Sequence, residues 1–350
     1  MTGASAVDGR PRLTINLGAL RRNACALQAM APNARLMPVV KANAYGLGAV
    51  PIVRTMIDEG YKEFFVAYPQ HAAELIAEGI NAVFYCYNAR PQNGGYSESI
   101  RPVLTSIEDL SAWAPAPCGV QIDIGMNRLG LCADELNRIP PRPDVEIVVA
   151  HMSHAGNINS PVNTDQRTTF ETIRPRLKSL FPNAQLSLSA SGNVLLGNGP
   201  QEDAIRPGIS LYGGTPGMQA ATEHVVSLEA QILSVRHVPK GETVGYDGTW
   251  TAPRDSRIAT LAIGYADGLP RSLRGGHVTV QGQQAPIVGA ISMDLTTVDV
   301  TEIDQPAPGA WAEVFGHAIK LDTLAKQAGT IGYEILTRLG DRAQRIYCDD

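Results

Sequence analysis

The sequence predicts an α/β protein in which a (β/α)8 barrel is followed by a mostly antiparallel β domain. Short apolar runs alternate with helical stretches up to about residue 210. Strands that are apolar along their whole length are typical of a parallel sheet covered on both faces, as in a barrel. From residue 225 the apolar residues alternate with a period of two, which is typical of antiparallel strands. We therefore expect residues 1–224 to form the barrel and residues 225–350 to form the β domain.

The barrel elements follow in order. A short alternating strand at 13–17 and a helix at 20–30 come first. Helices that end at glycine, such as 50–57 before Gly60 and 72–76 before Gly79, separate several of the later strands. The longest helix is expected at 163–180. The barrel strands are expected at residues 36–40, 63–68, 82–87, 102–105, 120–124, 145–150, 185–189 and 204–206.

The second domain shows no strong amphipathic helix before residues 321–328. Glycine and proline separate its apolar runs, as expected for strands joined by turns. Its strands are expected at residues 230–235, 257–263, 277–280, 285–293 and 297–300.

Composition excludes several classes of function. The chain has 350 residues and a net charge of −5, without a basic run, so we expect no nucleic-acid partner and no membrane-surface binding. No apolar stretch approaches the roughly 20 residues of a membrane span. The first twelve residues lack an apolar signal core and are expected to form a short tail. The five cysteines form no CxxC, which favours reduced thiols and a cytoplasmic location.

The stretch 35–48 organises the predicted site. An apolar run at 36–40 ends at Lys41, and Tyr45 follows between small residues. A lysine that is desolvated at a strand end loses its proton readily and can form a Schiff base with an aldehyde. The alternative is a lysine that extends to solvent. The alternative is less favoured here because polar groups also follow later strands, as expected for a shared site at the strand ends.

Active groups of a barrel collect at the C-terminal ends of its strands. Guanidinium groups bind carboxylate or phosphate, and backbone N–H groups near glycine can hold phosphate. A Schiff-base lysine beside such a phosphate site indicates pyridoxal phosphate. The arginines could instead be surface ion-pair partners. Besides Lys41, the residues that follow strands are Arg128, His151, Ser191, Arg206, Gly208 and Ile209.

Six motifs then resemble one family, alanine racemase. They are VVKANAYG, DIGMNRLG, IRPGISLYG, GYADGLPR, ISMD and GYE, in that order and with similar spacing. The resemblance extends from about residue 13 to residue 347. It implies a barrel that carries pyridoxal phosphate, a C-terminal β domain, a small amino-acid substrate and a homodimer with shared active sites.

The resemblance also implies residue roles. Lys41 resembles the Schiff-base lysine and the base on one face of the substrate. Tyr246, in VGYDGTW, resembles the base on the opposite face and would come from the other subunit. Arg206 resembles the arginine at the pyridine nitrogen of the cofactor. His151 resembles the imidazole ring that links this arginine to Tyr246. Arg128 resembles the group near the phenolic oxygen of the cofactor and the substrate carboxylate.

The remaining roles concern the phosphate and the substrate. Met293 resembles a backbone contact for the substrate carboxylate from the second subunit. Residues resembling the phosphate contacts are Tyr45, Ser191, Gly208, Ile209 and Tyr333.

The chemistry agrees with the roles of Lys41 and Tyr246. Racemisation removes a proton from one face of a carbon and returns one to the other face, which two bases can do without turning the substrate over. Without the resemblance, Tyr246 and Tyr333 would be interpreted as core tyrosines with satisfied hydroxyls.

Two positions depart from the family pattern. Many members have a carbamate-modified lysine two residues before the aspartate of the DIGMNRLG-type motif, where this chain has Gln121. A neutral amide can orient Arg128 by hydrogen bonding but adds no negative charge. Ala190 before Ser191 also makes this phosphate motif looser than the asparagine–serine pair often found there.

His151 and His154 form an HxxH pair, but no cysteine or carboxylate accompanies them at ligand spacing, so we expect no metal. His154 is expected to be a solvated or supporting residue.

Four functions remain open. The leading hypothesis is interconversion of L- and D-alanine for peptidoglycan synthesis. The alternative is racemisation of serine or of a broad range of amino acids. A decarboxylase of the same fold pairs the pyridine nitrogen with a carboxylate, where this chain has Arg206. A barrel that only carries pyridoxal phosphate would lack the β domain.

Overall fold

The computed structural model describes residues 9–92, 95–153, 160–195, 202–215 and 222–350. These residues form two compact units. Of the described residues, those within 20–211 belong to the barrel unit, and those within 9–19, 212–214 and 223–350 belong to the β unit. The first elements of the described chain are strand β1 (Arg12–Asn16) and helix α1 (Leu17–Met30).

The barrel unit alternates strands and helices, as predicted. Its strands are β2 (Arg35–Leu36), β3 (Glu63–Val66), β4 (Val83–Cys86), β5 (Ile100–Leu104), β6 (Cys118–Gln121), β7 (Val145–Val149), β8 (Gln185–Ser187) and β9 (Ala204–Ile205). Its helical segments are α2 (Lys41–Tyr45), α3 (Ala49–Asp58), α4 (Pro69–Ala77), α5 (Ile107–Ala112), a 3₁₀ turn at Glu135–Asn137, α6 (Pro161–Leu180) and α7 (Ser191–Leu195).

The parallel strands close into a ring. Strands β3 to β8 pair in sequence order, and β2 pairs with β9. A bridge between Val39 and Phe65 joins the β2 side to β3, and a bridge between Ala190 and Arg206 joins the β8 side to β9. This confirms the predicted eight-stranded barrel.

Aromatic side chains fill part of the barrel core. Phe64 stacks on Phe84 with ring centres 5.8 Å apart, and Phe65 stacks on Tyr85 at 5.2 Å. All four side chains are buried. Neighbouring residues of β3 are thus buried on both faces of the strand, which is why the barrel strands are apolar along their whole length.

The β unit contains the remaining elements. Its strands are β10 (Val226–Val238), β11 (Thr243–Val244), β12 (Trp250–Thr251), β13 (Ser256–Leu261), β14 (His277–Val280), β15 (Gln283–Pro286), β16 (Thr296–Asp299), β17 (Trp311–Phe315) and β18 (Gln344–Cys348). Its helices are α8 (Leu321–Gln327) and α9 (Gly332–Thr337), with 3₁₀ turns at Tyr246–Gly248, Tyr265–Asp267 and Arg271–Leu273.

The main sheet of the β unit has the order β15-β14-β17-β10-β1-β18, and β13 joins it through β10 and continues to β16. All its pairings are antiparallel except that of β1 with β18. The mostly antiparallel prediction is therefore confirmed. The first strand belongs to this sheet, so the prediction that residues 1–224 all form the barrel is wrong for β1.

One predicted strand of the β unit is too long. The strand expected at 285–293 ends at Pro286. Gly289 then has φ of 72°, a left-handed conformation that interrupts an extended chain. No helix among the described residues is long and apolar enough to cross a membrane.

Candidate active site

Lys41 stands at the point where the chain leaves the barrel wall. The Val40 N–H donates to the Phe65 carbonyl at 2.8 Å, which ties the residue before the lysine to β3. Segment α2 then turns left-handed, with φ of 53° at Ala42, 54° at Asn43 and 49° at Ala44. Left-handed backbone costs non-glycine residues roughly 1–2 kcal/mol each. Such strain is concentrated at functional sites, where surrounding contacts hold it in place.

The Lys41 amine lies in a crowded, cationic part of the barrel. The residue retains solvent contact, yet the protein atoms around its amine desolvate the charge. This desolvation, together with the charges of Arg128 and Arg206, lowers the pKa of Lys41. A lysine with a lowered pKa is a better nucleophile toward an aldehyde at neutral pH.

Arg206 is fixed by the barrel wall. Only 1% of its surface is exposed. It donates to the carbonyl oxygens of Ser187 and Ala150, both at 2.7 Å, and to the Tyr87 hydroxyl at 3.1 Å. It also donates to the Ser187 hydroxyl. No carboxylate among the described residues forms an ion pair with Arg206, so this buried cation is held by neutral groups.

Arg128 lies on an exposed loop that its neighbours shape. The Asp123 carboxylate accepts backbone N–H bonds from Gly125, Met126 and Asn127, at 2.9, 2.9 and 3.2 Å. The Arg128 side chain itself bonds to no group in the described part of the chain.

Gln121 does not orient Arg128 directly. Its amide nitrogen donates to the Leu129 carbonyl at 2.7 Å, while its side chain is buried. The amide could have bonded to Arg128 but bonds instead to the backbone of the next residue, which anchors the loop.

His151 lies against the ring of Tyr87, with ring centres 5.6 Å apart. Burial, followed by the charges of Arg206, Arg128 and Lys41, lowers the pKa of His151 well below its usual value. The imidazole is therefore neutral at pH 7.

The loop after β9 forms a compact cradle with α7. The Ser191 hydroxyl accepts N–H bonds from Gly208 at 2.9 Å and Ser210 at 3.2 Å. A methyl group on Gly208 would collide with the Tyr45 phenol, so only glycine permits this close approach. The buried hydroxyl oxygen of Ser210 has no partner among the described residues, and Ile209 is buried beside it. Hydroxyls and backbone N–H groups packed this tightly suit a phosphate.

Three predicted residues belong to the β unit. Tyr246 is 70% exposed and Met293 is 54% exposed. Tyr246 borders a cavity of about 390 Å³ together with Ser292 and Leu295. Tyr333 is partly buried, and desolvation followed by the charge of Asp322 raises its pKa to about 12. The predicted roles of these three residues remain predictions.

The barrel unit gathers several predicted residues into one neighbourhood. The charges of Arg128, Arg206 and Lys41 all act on His151, and Tyr45 lies against Gly208 in the cradle. Tyr87, which was not among the predicted site residues, contacts both Arg206 and His151. It is the last residue of the strand expected at 82–87, so the rule that located the other strand-end groups would also have found it.

The described residues contain no group of three or more histidine, cysteine, aspartate or glutamate side chains that could hold a metal ion. His154 lies outside the described residues.

Comparisons with known proteins agree with this fold. Residues 15–216 match the family model for the alanine racemase N-terminal domain, and residues 225–347 match that for the C-terminal domain. An alanine racemase of Methylobacterium sp. is 39% identical over 97% of this chain and 98% of its own length. A catabolic alanine racemase of Rhizobium johnstonii is also 39% identical, over 96% of this chain and 94% of its own length.

A crystal structure of alanine racemase from Bartonella henselae with covalently bound pyridoxal phosphate is also similar. It superimposes with a TM-score of 0.89 at 33% identity, covering 97% of this chain and 99% of its own.

A barrel with a lysine among arginines, followed by a β unit, defines the class as a pyridoxal-phosphate-dependent racemase. Within that class, the chain belongs to the alanine racemase family. The predicted cofactor is confirmed at the level of the family.

Proposed function

We propose that this protein interconverts L-alanine and D-alanine with two bases, Lys41 and Tyr246 of the partner subunit. The observation that carries the proposal is the Lys41 amine, whose pKa is lowered by desolvation and by two arginines that have no carboxylate partner among the described residues. Such a site favours a ligand that brings both an aldehyde and negative charge.

Pyridoxal phosphate fits these residues. Its phosphate suits the cradle of Tyr45, Ser191, Gly208 and Ile209, where Gly208 must lack a side chain and the Ser210 hydroxyl has no described partner. Tyr333 is proposed as a further phosphate contact. When bound, the cofactor supplies an aldehyde for the lysine amine and a ring that acidifies the proton on the substrate carbon.

The two bases then divide the proton transfers. The Lys41 amine takes or returns the proton on one face of the substrate, and the partner's Tyr246 phenol does so on the other. A phenol normally holds its proton at neutral pH, so nearby positive charge is needed for it to act as a base. Arg206, whose charge also acts on His151, is proposed to supply that positive charge.

Arg128 is proposed to bind the substrate carboxylate. Its guanidinium has no partner among the described residues and is therefore available for bidentate hydrogen bonding to a carboxylate. The Met293 backbone of the partner subunit is proposed as a second contact for the same carboxylate. Substrate choice would depend on side chains around these two groups.

A homodimer is part of the proposal. Residues 225–350 would supply Tyr246 and Met293 to the site of the partner, which gives a reason for the large exposed fractions of these two side chains. We also propose that the enzyme works in the cytoplasm and supplies D-alanine for peptidoglycan.

A chiral assay on the purified protein tests the activity. A panel of L-amino acids is incubated with the wild type, and the D-isomers are separated and measured. We expect D-alanine to form fastest. Lys41→Ala should abolish turnover and the visible absorbance of the lysine-bound cofactor, whereas Lys62→Ala, at an exposed lysine just before β3, should preserve both. Formation of D-serine in preference to D-alanine would move the assignment to that substrate.

A further inference from the structure

Tyr87 follows β4 and has a fixed position at the barrel mouth. Its ring stacks on Phe65 with centres 4.9 Å apart. Its hydroxyl oxygen accepts the Nε–H bond of Arg206 at 3.1 Å. Two restraints, one on the ring and one on the oxygen, therefore hold the phenol in place.

The proton of this hydroxyl has no acceptor in the described part of the chain. Because the oxygen accepts from Arg206, the O–H bond must point elsewhere. Desolvation raises the pKa of Tyr87, although Arg206 and Arg128 oppose the change, so the hydroxyl stays protonated at neutral pH. Tyr87 thus presents a neutral donor that no described residue accepts and that is available to a ligand.

The surroundings indicate which ligand this is. The Lys41 amine lies 5.8 Å from the centre of the Tyr87 ring, and the His151 ring lies 5.6 Å from it. Both neighbours belong to the proposed cofactor site. Arg206 has five N–H donors. Four of them form the bonds to Tyr87, Ala150 and Ser187, the last of which accepts two. One N–H of this guanidinium is therefore left for the same ligand.

We propose that Tyr87 is a further cofactor-binding residue whose hydroxyl donates a hydrogen bond to an acceptor atom on the ring of pyridoxal phosphate. The inference rests on the proposed function. It adds a neutral donor beside the cationic Arg206, so the ring would be held by two donors of different charge. Neither donor readily gives up its proton, so neither would protonate the ring.

Tyr85, two residues earlier in β4, provides a matched control. Its ring stacks on the same Phe65, at 5.2 Å, but its hydroxyl donates to the carboxylate of Glu146 at 3.0 Å. Tyr85→Phe and Tyr87→Phe therefore remove the same atom from similar aromatic environments, and only Tyr87→Phe removes a hydroxyl from the proposed site.

The experiment removes the cofactor from each purified protein and measures its return by fluorescence quenching and visible absorption. We expect Tyr87→Phe to weaken pyridoxal phosphate binding about three- to tenfold, as for the loss of one neutral hydrogen bond. It should also shift the absorption maximum of the bound cofactor. Affinity for inorganic phosphate should stay at the wild-type value, because the Ser191 cradle is unchanged. Tyr85→Phe should change none of these quantities.

Unchanged affinity and absorption in Tyr87→Phe would overturn the inference, and so would equal losses in Tyr85→Phe. If Tyr87→Phe folds poorly, Tyr87→Leu, which also lacks the hydroxyl, is measured in its place. Its loss of affinity for pyridoxal phosphate should be at least as large. A wild type that forms no lysine-bound cofactor would overturn the proposed function itself, which separates the two failures.

Discussion

At the scale of single residues, His151 predicts how stability depends on pH. Its pKa in the folded protein is far below the usual value, because burial and three nearby cations disfavour the imidazolium. In the unfolded chain the ring titrates near pH 6.5, roughly. Below that pH the unfolded chain binds a proton that the folded chain does not, so stability falls with falling pH. The slope for one full proton is about 1.4 kcal/mol per pH unit.

The measurement is chemical unfolding of the cofactor-free protein between about pH 7.5 and about pH 5.5, a window that spans this titration. His151→Gln should lose less stability than the wild type over this range. His224, in the β unit, has its pKa lowered to about 4 by burial, His317 and Lys320, so His224→Gln should remove a separate share of the slope. A His151→Gln protein that loses stability as steeply as the wild type would contradict the prediction.

The strand-end rule predicted most barrel side chains of the site, because parallel strands bring their C-terminal ends to one rim. It could not predict their hydrogen bonds. Gln121 bonds to the Leu129 carbonyl at 2.7 Å and not to Arg128, a choice made by loop geometry that spacing along the chain does not reveal. Tyr87 was missed because a tyrosine at the end of an apolar run is also an ordinary core residue.

At the scale of elements, α2 is the least predictable part of the site. Ala42, Asn43 and Ala44 are not glycine, and nothing in their types favours positive φ at all three positions. Their conformation follows from tertiary restraints at both ends. The N–H of Ala44 bonds to the Val40 carbonyl at 2.9 Å, and the N–H of Gly46 bonds to the Ala42 carbonyl at 2.8 Å.

This strain predicts an unusual effect of glycine. Ala42 is exposed with φ of 53°, so Ala42→Gly should relieve backbone strain while losing little buried surface, and should stabilise the protein by about 1 kcal/mol. Ala73, exposed within the right-handed helix α4, is the matched control. Ala73→Gly should destabilise by about 1 kcal/mol. Denaturant unfolding of both variants measures the two signs, and a loss of stability in both would show that α2 is not strained.

At the scale of the whole molecule, periodicity predicted the two halves but not which half holds the first strand. The barrel and β regions differ in hydrophobic period, which a sequence displays directly. The pairing of β1 with β10 and of β1 with β18 joins residues more than 200 positions apart, as in the pair Arg12 and Glu229. Such pairings depend on the folded sheet as a whole, so a short alternating strand gives no sign of its partner.

The proposed shared site makes a prediction that only the assembled molecule can test. If Lys41 acts with Tyr246 of the partner subunit, a dimer that combines one Lys41→Ala chain with one Tyr246→Ala chain has one site with both defects and one intact site. Random mixing of equal amounts makes half of the dimers hybrid, so activity should recover to about a quarter of the wild-type value. Each variant alone should remain inactive, and mixing Lys41→Ala with Lys41→Met should restore nothing. The mixtures are unfolded and refolded together, and D-alanine formation is then measured. Failure to recover, with dimers present by light scattering, would mean that both bases of each site come from one chain, because only that arrangement leaves every hybrid site defective.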